Sequence, residues 1–207
     1  MARRLVIATT NPHKVEEFRG LLAGLPFDLV SLTDVGVTAN VEETGKTFAE
    51  NAIIKAVAYA EATGLPTLAE DSGLEIDAMG GAPGVYSARW AGPDVTYAAR
   101  NRMLVDRLED LPDERRGARY RCAIAVALPP PRGLLGVVEG TLEGRIAEAP
   151  AGHGGFGYDP IFLVPEDGRT VGQMSAEEKS RISHRARAAR AARPLLERLA
   201  SESQESQ

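Results

Sequence analysis

The first 22 residues constrain the fold class more than any other part of the chain. Leu5-Val-Ile-Ala-Thr9 is a short apolar run typical of a buried strand. Asn11-Pro12 follows at once, with asparagine suited to a helix N-cap and proline to the first helical position. Val15, Phe18 and Leu22 then recur on one helical face. A buried strand joined by a short loop to such a helix predicts an α/β domain.

The rest of the chain continues this mixed order. A second helix is predicted from Thr47 to Thr63, because Thr47 and Glu50 have capping-box spacing and Gly64 is a C-terminal stop. On that helix Asn51 and Lys55 are four residues apart and share a face. The other predicted elements are strands over about 67–69, 120–128, 134–139, 140–147 and 161–164, a helix over 96–111, and a long helix after Ser175 that Pro194 kinks or interrupts.

Composition excludes several function classes. The 207 residues carry a net charge of −5, which disfavours a protein that coats nucleic acid, and no apolar stretch approaches transmembrane length. The one cysteine, Cys122, lies in an apolar run and is interpreted as a buried small hydrophobe, which fits a reducing, cytoplasmic compartment. We expect one domain over residues 1–200 and a disordered polar tail over 201–207.

An acidic cluster follows the predicted strand at residues 67–69. Glu70 and Asp71 are adjacent, and Glu75 and Asp77 follow at alternating spacing. Carboxylates crowded together repel one another unless a cation lies between them, and the usual one is a hard divalent ion bound by oxygen ligands. The alternative is an ordinary acidic surface turn. The cluster therefore suggests a metal site without requiring one.

Two further segments could contact phosphate. Thr9-Thr-Asn-Pro-His-Lys14 lies at a helix N-terminus, where backbone N–H groups and the helix dipole attract anions, although an asparagine cap with an exposed lysine explains it equally well. Gly45-Lys-Thr47 resembles a P-loop ending, but Asn40 stands where the motif needs its first glycine. Glu42 and Glu43 would also repel phosphate, so we reject a P-loop; the same glutamates could complete a metal site with Asp71.

Two late segments could meet a flat ring or a polyanion. His153-Gly-Gly-Phe-Gly-Tyr-Asp-Pro160 has glycines that permit close backbone approach, and Phe156 could stack on a base; a tight turn anchored by aromatic residues is the alternative. Lys179-Ser-Arg-Ile-Ser-His-Arg185 carries basic groups at the start of the last helix. The later arginines of that helix, Arg187, Arg190 and Arg193, are better interpreted as a solvated helix face.

Taken together, these segments resemble the RdgB-like inosine triphosphate pyrophosphatase family, whose members hydrolyse deaminated purine nucleoside triphosphates. The matching stretches are 9–14, 42–52, 70–74 with 80–89, 154–160 and 174–185, and they occur in the family's order. Relatives often have aspartate where this chain has Glu70. The resemblance implies an elongated mixed β-sheet flanked by helices, with two lobes, a nucleotide cleft between them, and a homodimer.

The resemblance also implies a role for individual residues. Thr9, Asn11 and Lys14 hold the triphosphate, within a substrate-binding segment that includes Thr10, Pro12 and His13. Glu42 and Asp71 bind Mg²⁺, and Asp71 is also the general base; whether Glu43 joins them is left open. The remaining implied substrate contacts are Ser72, Phe156, Gly157, Tyr158, Asp159, Lys179, His184 and Arg185, the last two near the purine.

The implied reaction is Mg²⁺-dependent attack of water on the α-phosphorus of dITP, ITP or XTP, giving a nucleoside monophosphate and pyrophosphate. Donors from His184, Arg185 or the backbone would favour the 6-oxo group of the base over an amino group. Three alternatives stand beside this interpretation: a Maf-like pyrophosphatase with other nucleotide preferences, a non-catalytic nucleotide sensor, and a nucleic-acid binder that uses the arginine-rich helix. We expect no nucleic acid or membrane as a partner.

Overall fold

The computed structural model of the chain describes residues 3–92 and 94–202. Within these ranges the chain forms a mixed β-sheet with α-helices and short 3₁₀ turns between the strands. The helices are α1 (Pro12–Leu21), α2 (Phe48–Thr63), α3 (Tyr97–Arg107), α4 (Ala176–Ile182) and α5 (His184–Glu202). The strands are β1 (Arg3–Ala8), β2 (Phe27–Ser31), β3 (Thr67–Ile76), β4 (Gly117–Leu128), β5 (Gly133–Ile146), β6 (Phe162–Val164) and β7 (Arg169–Thr170).

The sheet has the order β2-β1-β3-β4-β5-β6-β7. Strand β1 pairs in parallel with β2 and with β3, so that Leu5 lies opposite Leu29 and Val6 opposite Thr67. Strand β6 pairs antiparallel with β5 and β7. The predicted α/β class, a mixed sheet flanked by helices, is confirmed.

The chain divides into two compact units. The described part of the first comes from residues up to 71, from 122–140 and from 185 onward, and the second comes from 72–121 and 141–184. Each unit has its own apolar core. The first core contains Leu5, Phe18, Leu68, Ile124 and Leu196, and the second contains Leu74, Leu104, Tyr120, Ile161 and Phe162.

Local signals set the helix ends as predicted. The Asn11 side chain accepts from the His13 N–H at 3.0 Å at the start of α1. Thr47 caps α2 by accepting from the Glu50 N–H at 3.1 Å, and Gly64 ends that helix in the left-handed conformation. These groups satisfy backbone donors and acceptors that a helix leaves without partners at its ends.

Several predictions about elements were wrong, and two strands were not predicted. The strand expected over 67–69 continues to Ile76, so the acidic pair lies inside β3 rather than after it. The strands expected over 134–139 and 140–147 are one strand, β5, and neither β2 nor β7 was predicted. The last long helix is two helices, because Ser183 has an extended ψ of 154° between α4 and α5.

Helix α5 runs through Pro194 without interruption. It continues to Glu202, so the first two residues of the predicted tail are helical; residues 203–207 lie outside the described residues. None of the helices in the described ranges is long and apolar enough to cross a membrane.

Candidate active site

Two adjacent carboxylates in the middle of β3 form the centre of the candidate site. Glu70 is 2% exposed and Asp71 is 7% exposed. Consecutive side chains of a strand point to opposite faces of the sheet, so the two carboxylates enter different surroundings. Because burying a charge is costly unless it is paired, each should have its own partners.

Glu70 is paired with two cations that come from distant parts of the chain. Lys14 on α1 forms an ion pair with Glu70 Oε1, and Arg185 Nη2 on α5 lies 3.7 Å from the same oxygen. The Cys122 thiol, buried as predicted, donates to Glu70 Oε2 at 3.4 Å. Burial raises the pKa of Glu70, but Lys14, Arg185 and Lys55 outweigh it and hold the pKa well below its ordinary value. Glu70 is therefore charged at neutral pH.

Arg185 is fully enclosed in the first unit. Its side chain is 1% exposed, and its Nη1 donates to Glu17 Oε2 at 2.5 Å while Nη2 faces Glu70. The sequence predicted Lys14 and Arg185 as substrate contacts. The structure brings both to Glu70, a residue to which the sequence assigned no role of its own.

Asp71 has a different set of partners, supplied by one face of α2. Asn51 Nδ2 donates to Asp71 Oδ2 at 3.0 Å, and Lys55 Nζ lies 3.5 Å from Asp71 Oδ1. Lys55 also contacts Glu43 Oε1 at 2.5 Å. Burial, with the Glu43 and Glu70 carboxylates, raises the pKa of Asp71 against the opposing effects of Lys55 and Asn51. A raised pKa suits a carboxylate that accepts a proton from water.

Asn51 also fixes the loop that precedes α2. Its Oδ1 accepts from the Gly45 N–H at 2.8 Å while its Nδ2 serves Asp71. A Cβ at position 45 would lie 2.7 Å from that Oδ1, so a side chain there would push the loop away. The buried amide thus joins the glutamate-bearing loop to Asp71.

The donor chemistry around Asp71 fits a hard divalent cation. Glu42 is exposed and Glu43 is half-buried against Lys55. No group of three His, Cys, Asp or Glu side chains converges within residues 3–92 and 94–202. Mg²⁺ usually binds through only one or two carboxylates and takes its other oxygens from water and substrate phosphates. Glu42 and Asp71 therefore have suitable ligand chemistry.

The segment from Thr9 to Lys14 adopts the asparagine-cap arrangement. The Asn11 N–H donates to Thr9 Oγ1 at 3.2 Å, and the N–H groups of His13 and Lys14 bond to Asn11. Thr10, Pro12 and His13 are exposed. Lys14 lies on Glu70, with 19% of its side chain exposed. Phosphate binding by this segment stays a prediction.

The glycine-rich loop of the second unit is organised around the Asp159 carboxylate. Asp159 is 3% exposed and accepts from the Phe156 N–H at 2.8 Å, from Lys179 Nζ at 2.8 Å and from the Tyr120 hydroxyl at 3.2 Å. Gly155 has φ +70°, and a Cβ there would lie 2.0 Å from Asp159 Oδ2. The loop can wrap around the carboxylate only because this residue is glycine.

The Phe156 ring faces the ammonium of Lys179. The Nζ lies 4.4 Å from the ring centroid, which is within cation–π range. Phe156 is half-buried, whereas Lys179 is 7% exposed. The Phe156 ring is therefore fixed by Lys179 on the loop and leaves part of its apolar surface accessible.

The two other predicted loop residues are anchored to neighbouring segments of the same unit. The Gly157 carbonyl accepts from Asn101 Nδ2 of α3 at 3.1 Å. Tyr158 is 3% exposed, its hydroxyl donates to the Ser87 carbonyl at 2.7 Å, and burial raises its pKa. Tyr158 therefore packs in the core of this unit, while Ser72 is half-buried in β3.

His184 stacks on a residue that the sequence did not single out for function. The ring centroids of His184 and Tyr120 lie 4.6 Å apart with an angle of 20° between the planes. On β4, Tyr120 also stacks on Phe162 at 4.3 Å. A tyrosine in an alternating strand looks like an ordinary core residue, so no signal in the sequence could have found this contact.

A comparison with protein-family models decides the family. The model for the Ham1 family matches residues 5–195. This chain belongs to the Ham1 family. Relatives named dITP/XTP pyrophosphatase confirm the predicted relationship to nucleoside triphosphate pyrophosphatases of this kind.

Relatives in the Ham1 family match almost end to end. A dITP/XTP pyrophosphatase of Symbiobacterium thermophilum is 57% identical over 187 residues, which cover 90% of this chain and 91% of the relative. One from Streptomyces coelicolor is 50% identical and covers 95% of this chain and 98% of the relative. The solved Ham1 protein of Staphylococcus aureus superposes with a TM-score of 0.83 at 38% identity, covering 94% and 98% of the two chains.

Proposed function

We propose that this Ham1-family chain is a nucleoside-triphosphate pyrophosphatase that hydrolyses dITP, ITP and XTP to the monophosphate and pyrophosphate. Such an activity would remove deaminated purine nucleotides before they enter DNA or RNA. The observation that carries the proposal is the buried pair of Glu70 and Asp71, in which Lys14 and Arg185 pair with Glu70 while Asn51 and Lys55 of α2 contact Asp71. The names of the relatives from Symbiobacterium and Streptomyces support the same activity.

Asp71 is the proposed general base. It takes a proton from a water molecule, the water oxygen forms a bond to the α-phosphorus, and the bond from that phosphorus to the bridging oxygen breaks. Pyrophosphate leaves and the nucleoside monophosphate remains. The hydrogen bond from Asn51 Nδ2 to Asp71 Oδ2, at 3.0 Å, would hold the carboxylate in place for this transfer.

Glu42 and Asp71 are the proposed ligands of Mg²⁺. When bound, the ion would supply a positive charge that neutralises the phosphate oxygens. Lys55, 3.5 Å from Asp71, adds a fixed cation of the chain itself at this point. Lys14 retains some exposure while it lies on Glu70, and we propose that it and the start of α1 stabilise the leaving polyphosphate.

The second unit carries the proposed base contacts. Phe156 offers a ring held by Lys179, and His184 is a buried donor that lines the same small cavity as that lysine. A donor aimed at the 6-position favours an oxo group, because an amino group would leave the buried donor without an acceptor. The substrate contact of Arg185 that the resemblance implies stays a prediction.

The resemblance also implies a homodimer, and the single buried cysteine fits a reducing cytoplasm; we include both in the proposal. Light scattering after gel filtration measures the mass of the particle in solution. A dimer should have twice the chain mass of 22.1 kDa. A monomer at micromolar concentration would contradict it.

Product analysis tests the reaction. The purified protein is incubated with ITP, ATP and GTP, with and without Mg²⁺, and the phosphate product is identified. We expect Mg²⁺-dependent pyrophosphate release, strongest with ITP. Release of orthophosphate would mean attack at the γ-phosphorus and would overturn the mechanism; binding without turnover would identify a sensor.

A further inference from the structure

Tyr120 joins two parts of the proposed base site by two chemically different contacts. Its hydroxyl donates to Asp159 Oδ1 at 3.2 Å, and its ring stacks on His184 at 4.6 Å. Tyr120 is 6% exposed, and its ring also stacks on the Phe162 ring at 4.3 Å. All four residues lie in the second unit.

The hydroxyl completes a set of three donors on one buried carboxylate. Asp159 accepts from Tyr120, from Lys179 Nζ and from the Phe156 N–H, and Lys179 in turn faces the Phe156 ring. A hydrogen bond to a buried carboxylate is stronger than one between neutral groups. Losing the Tyr120 hydroxyl would let the carboxylate move, and with it the loop that carries Phe156.

The ring makes a separate contribution. A flat stack at this distance limits rotation of the His184 imidazole about its side-chain bonds. Tyr120 itself is held by strand β4, which extends on both sides of it in the sequence. The imidazole therefore presents its ring nitrogens in one orientation. A small rotation of a buried donor is enough to weaken its hydrogen bond to a base.

We infer that Tyr120 is a positioning residue of the purine site: its hydroxyl sets the Phe156 loop through Asp159, and its ring sets the orientation of His184. Neither function involves contact with the substrate. The role rests on the proposed function, because it assigns Phe156 and His184 to the base.

Two variants separate the two contacts. Tyr120→Phe removes the hydroxyl and keeps the ring, whereas Tyr120→Leu removes both. Tyr59→Phe is the matched control, since it deletes another buried hydroxyl, 5% exposed, that bonds to the Ala39 carbonyl at 3.1 Å in the first unit. Kinetics are measured with ITP and ATP, together with the thermal midpoint of each protein.

The expected kinetic effects differ between the variants. Tyr120→Phe should raise the KM for ITP about tenfold with kcat within about twofold, as for a lost binding contact. Tyr120→Leu should also lower the ratio of kcat/KM for ITP to that for ATP, which has a 6-amino group, by about tenfold, a loss comparable to that of one oriented hydrogen bond. Tyr59→Phe should leave that ratio unchanged even if its thermal midpoint falls equally.

A spectroscopic readout tests the ring contact without any substrate. The chain has three histidines, and His13 and His153 are exposed, so the imidazole proton signals of His184 can be assigned by their ring-current shift. The shift should persist in Tyr120→Phe and disappear in Tyr120→Leu. Should Tyr120→Leu fail to fold, Tyr120→Phe still tests the hydroxyl through KM.

The outcomes distinguish two kinds of failure. A wild-type protein that releases no pyrophosphate from ITP overturns the proposed function and this role with it. An active wild type whose Tyr120→Phe variant keeps its KM, or whose Tyr120→Leu variant changes kcat/KM for ITP and for ATP equally, overturns the positioning role alone.

Discussion

Replacing Glu70 by glutamine should destabilise the protein strongly. Glu70→Gln keeps the size of the side chain but removes the negative charge that Lys14 and Arg185 share. Removing one partner of a buried ion pair typically costs about 3–5 kcal/mol of unfolding free energy. Here Arg185 keeps Glu17 at 2.5 Å, and Lys14 is partly exposed and can be hydrated. We therefore expect Glu70→Gln to lower the free energy of unfolding by about 3 kcal/mol, the lower end of that range.

Glu70→Asp is the matched control, because it keeps the charge and removes one methylene. Its expected cost is about 1 kcal/mol, close to the transfer free energy of one buried CH₂. The assay is urea unfolding of the wild type and both variants at pH 7, followed by the tryptophan and circular dichroism signals. A difference between the two variants of less than about 1 kcal/mol would refute the ion-pair reasoning.

The pH dependence gives an independent test of the same contact. The folded-state pKa of Glu70 is depressed, so its contribution is fully present above the unfolded-state pKa, about 4.3, and is lost as the pH falls toward the folded value. The stability gap between wild type and Glu70→Gln should thus be constant from about pH 7 to 5 and narrow below about pH 4.3. A gap that stays constant below that pH would mean that the charge of Glu70 is not its cause.

Three further substitutions test the site. Asp71→Asn should lower kcat by at least about a hundredfold, since it cannot accept the proton from water, while equilibrium dialysis should still detect ITP binding; near-normal turnover would rule out the base assignment. Asn101→Ala should raise the KM for ITP about three- to tenfold by releasing the Gly157 carbonyl, and an unchanged KM would mean that the loop is held without it. Gly155→Ala should cost more than about 1 kcal/mol in urea unfolding, because φ is +70° and Asp159 occupies the space of a Cβ; a fully stable variant would contradict that geometry.

The features that the sequence predicted correctly depend on neighbouring residues. The caps at Asn11, Thr47 and Gly64 act within three or four residues, so their residue types are enough to predict them. The family and the α/β class followed from motifs and from the order of apolar runs. The break at Ser183 was missed because neither glycine nor proline marks it.

The features that were missed depend on contacts between distant residues. Charged residues are rare inside strands, so the continuation of β3 through Glu70 and Asp71 contradicts local propensity. It is possible only because Lys14, Lys55 and Arg185 come from three other elements to pair with them. Likewise, the stack of Tyr120 on His184 joins residues 64 positions apart, and neither sequence neighbourhood indicates it.

The alternation of a strand explains how two adjacent acids can have different roles. Glu70 faces two cations, which lower its pKa, and Asp71 faces one lysine and an amide beside other carboxylates, so that burial raises its pKa. Environments that push the pKa values of two carboxyl groups apart can give them different protonation behaviour, and in the proposed mechanism Asp71 is the one that takes a proton from water. Because Glu70 and Asp71 are consecutive in β3, their side chains point to opposite faces of the sheet. Glu70 therefore meets the cations of α1 and α5, and Asp71 meets the residues of α2.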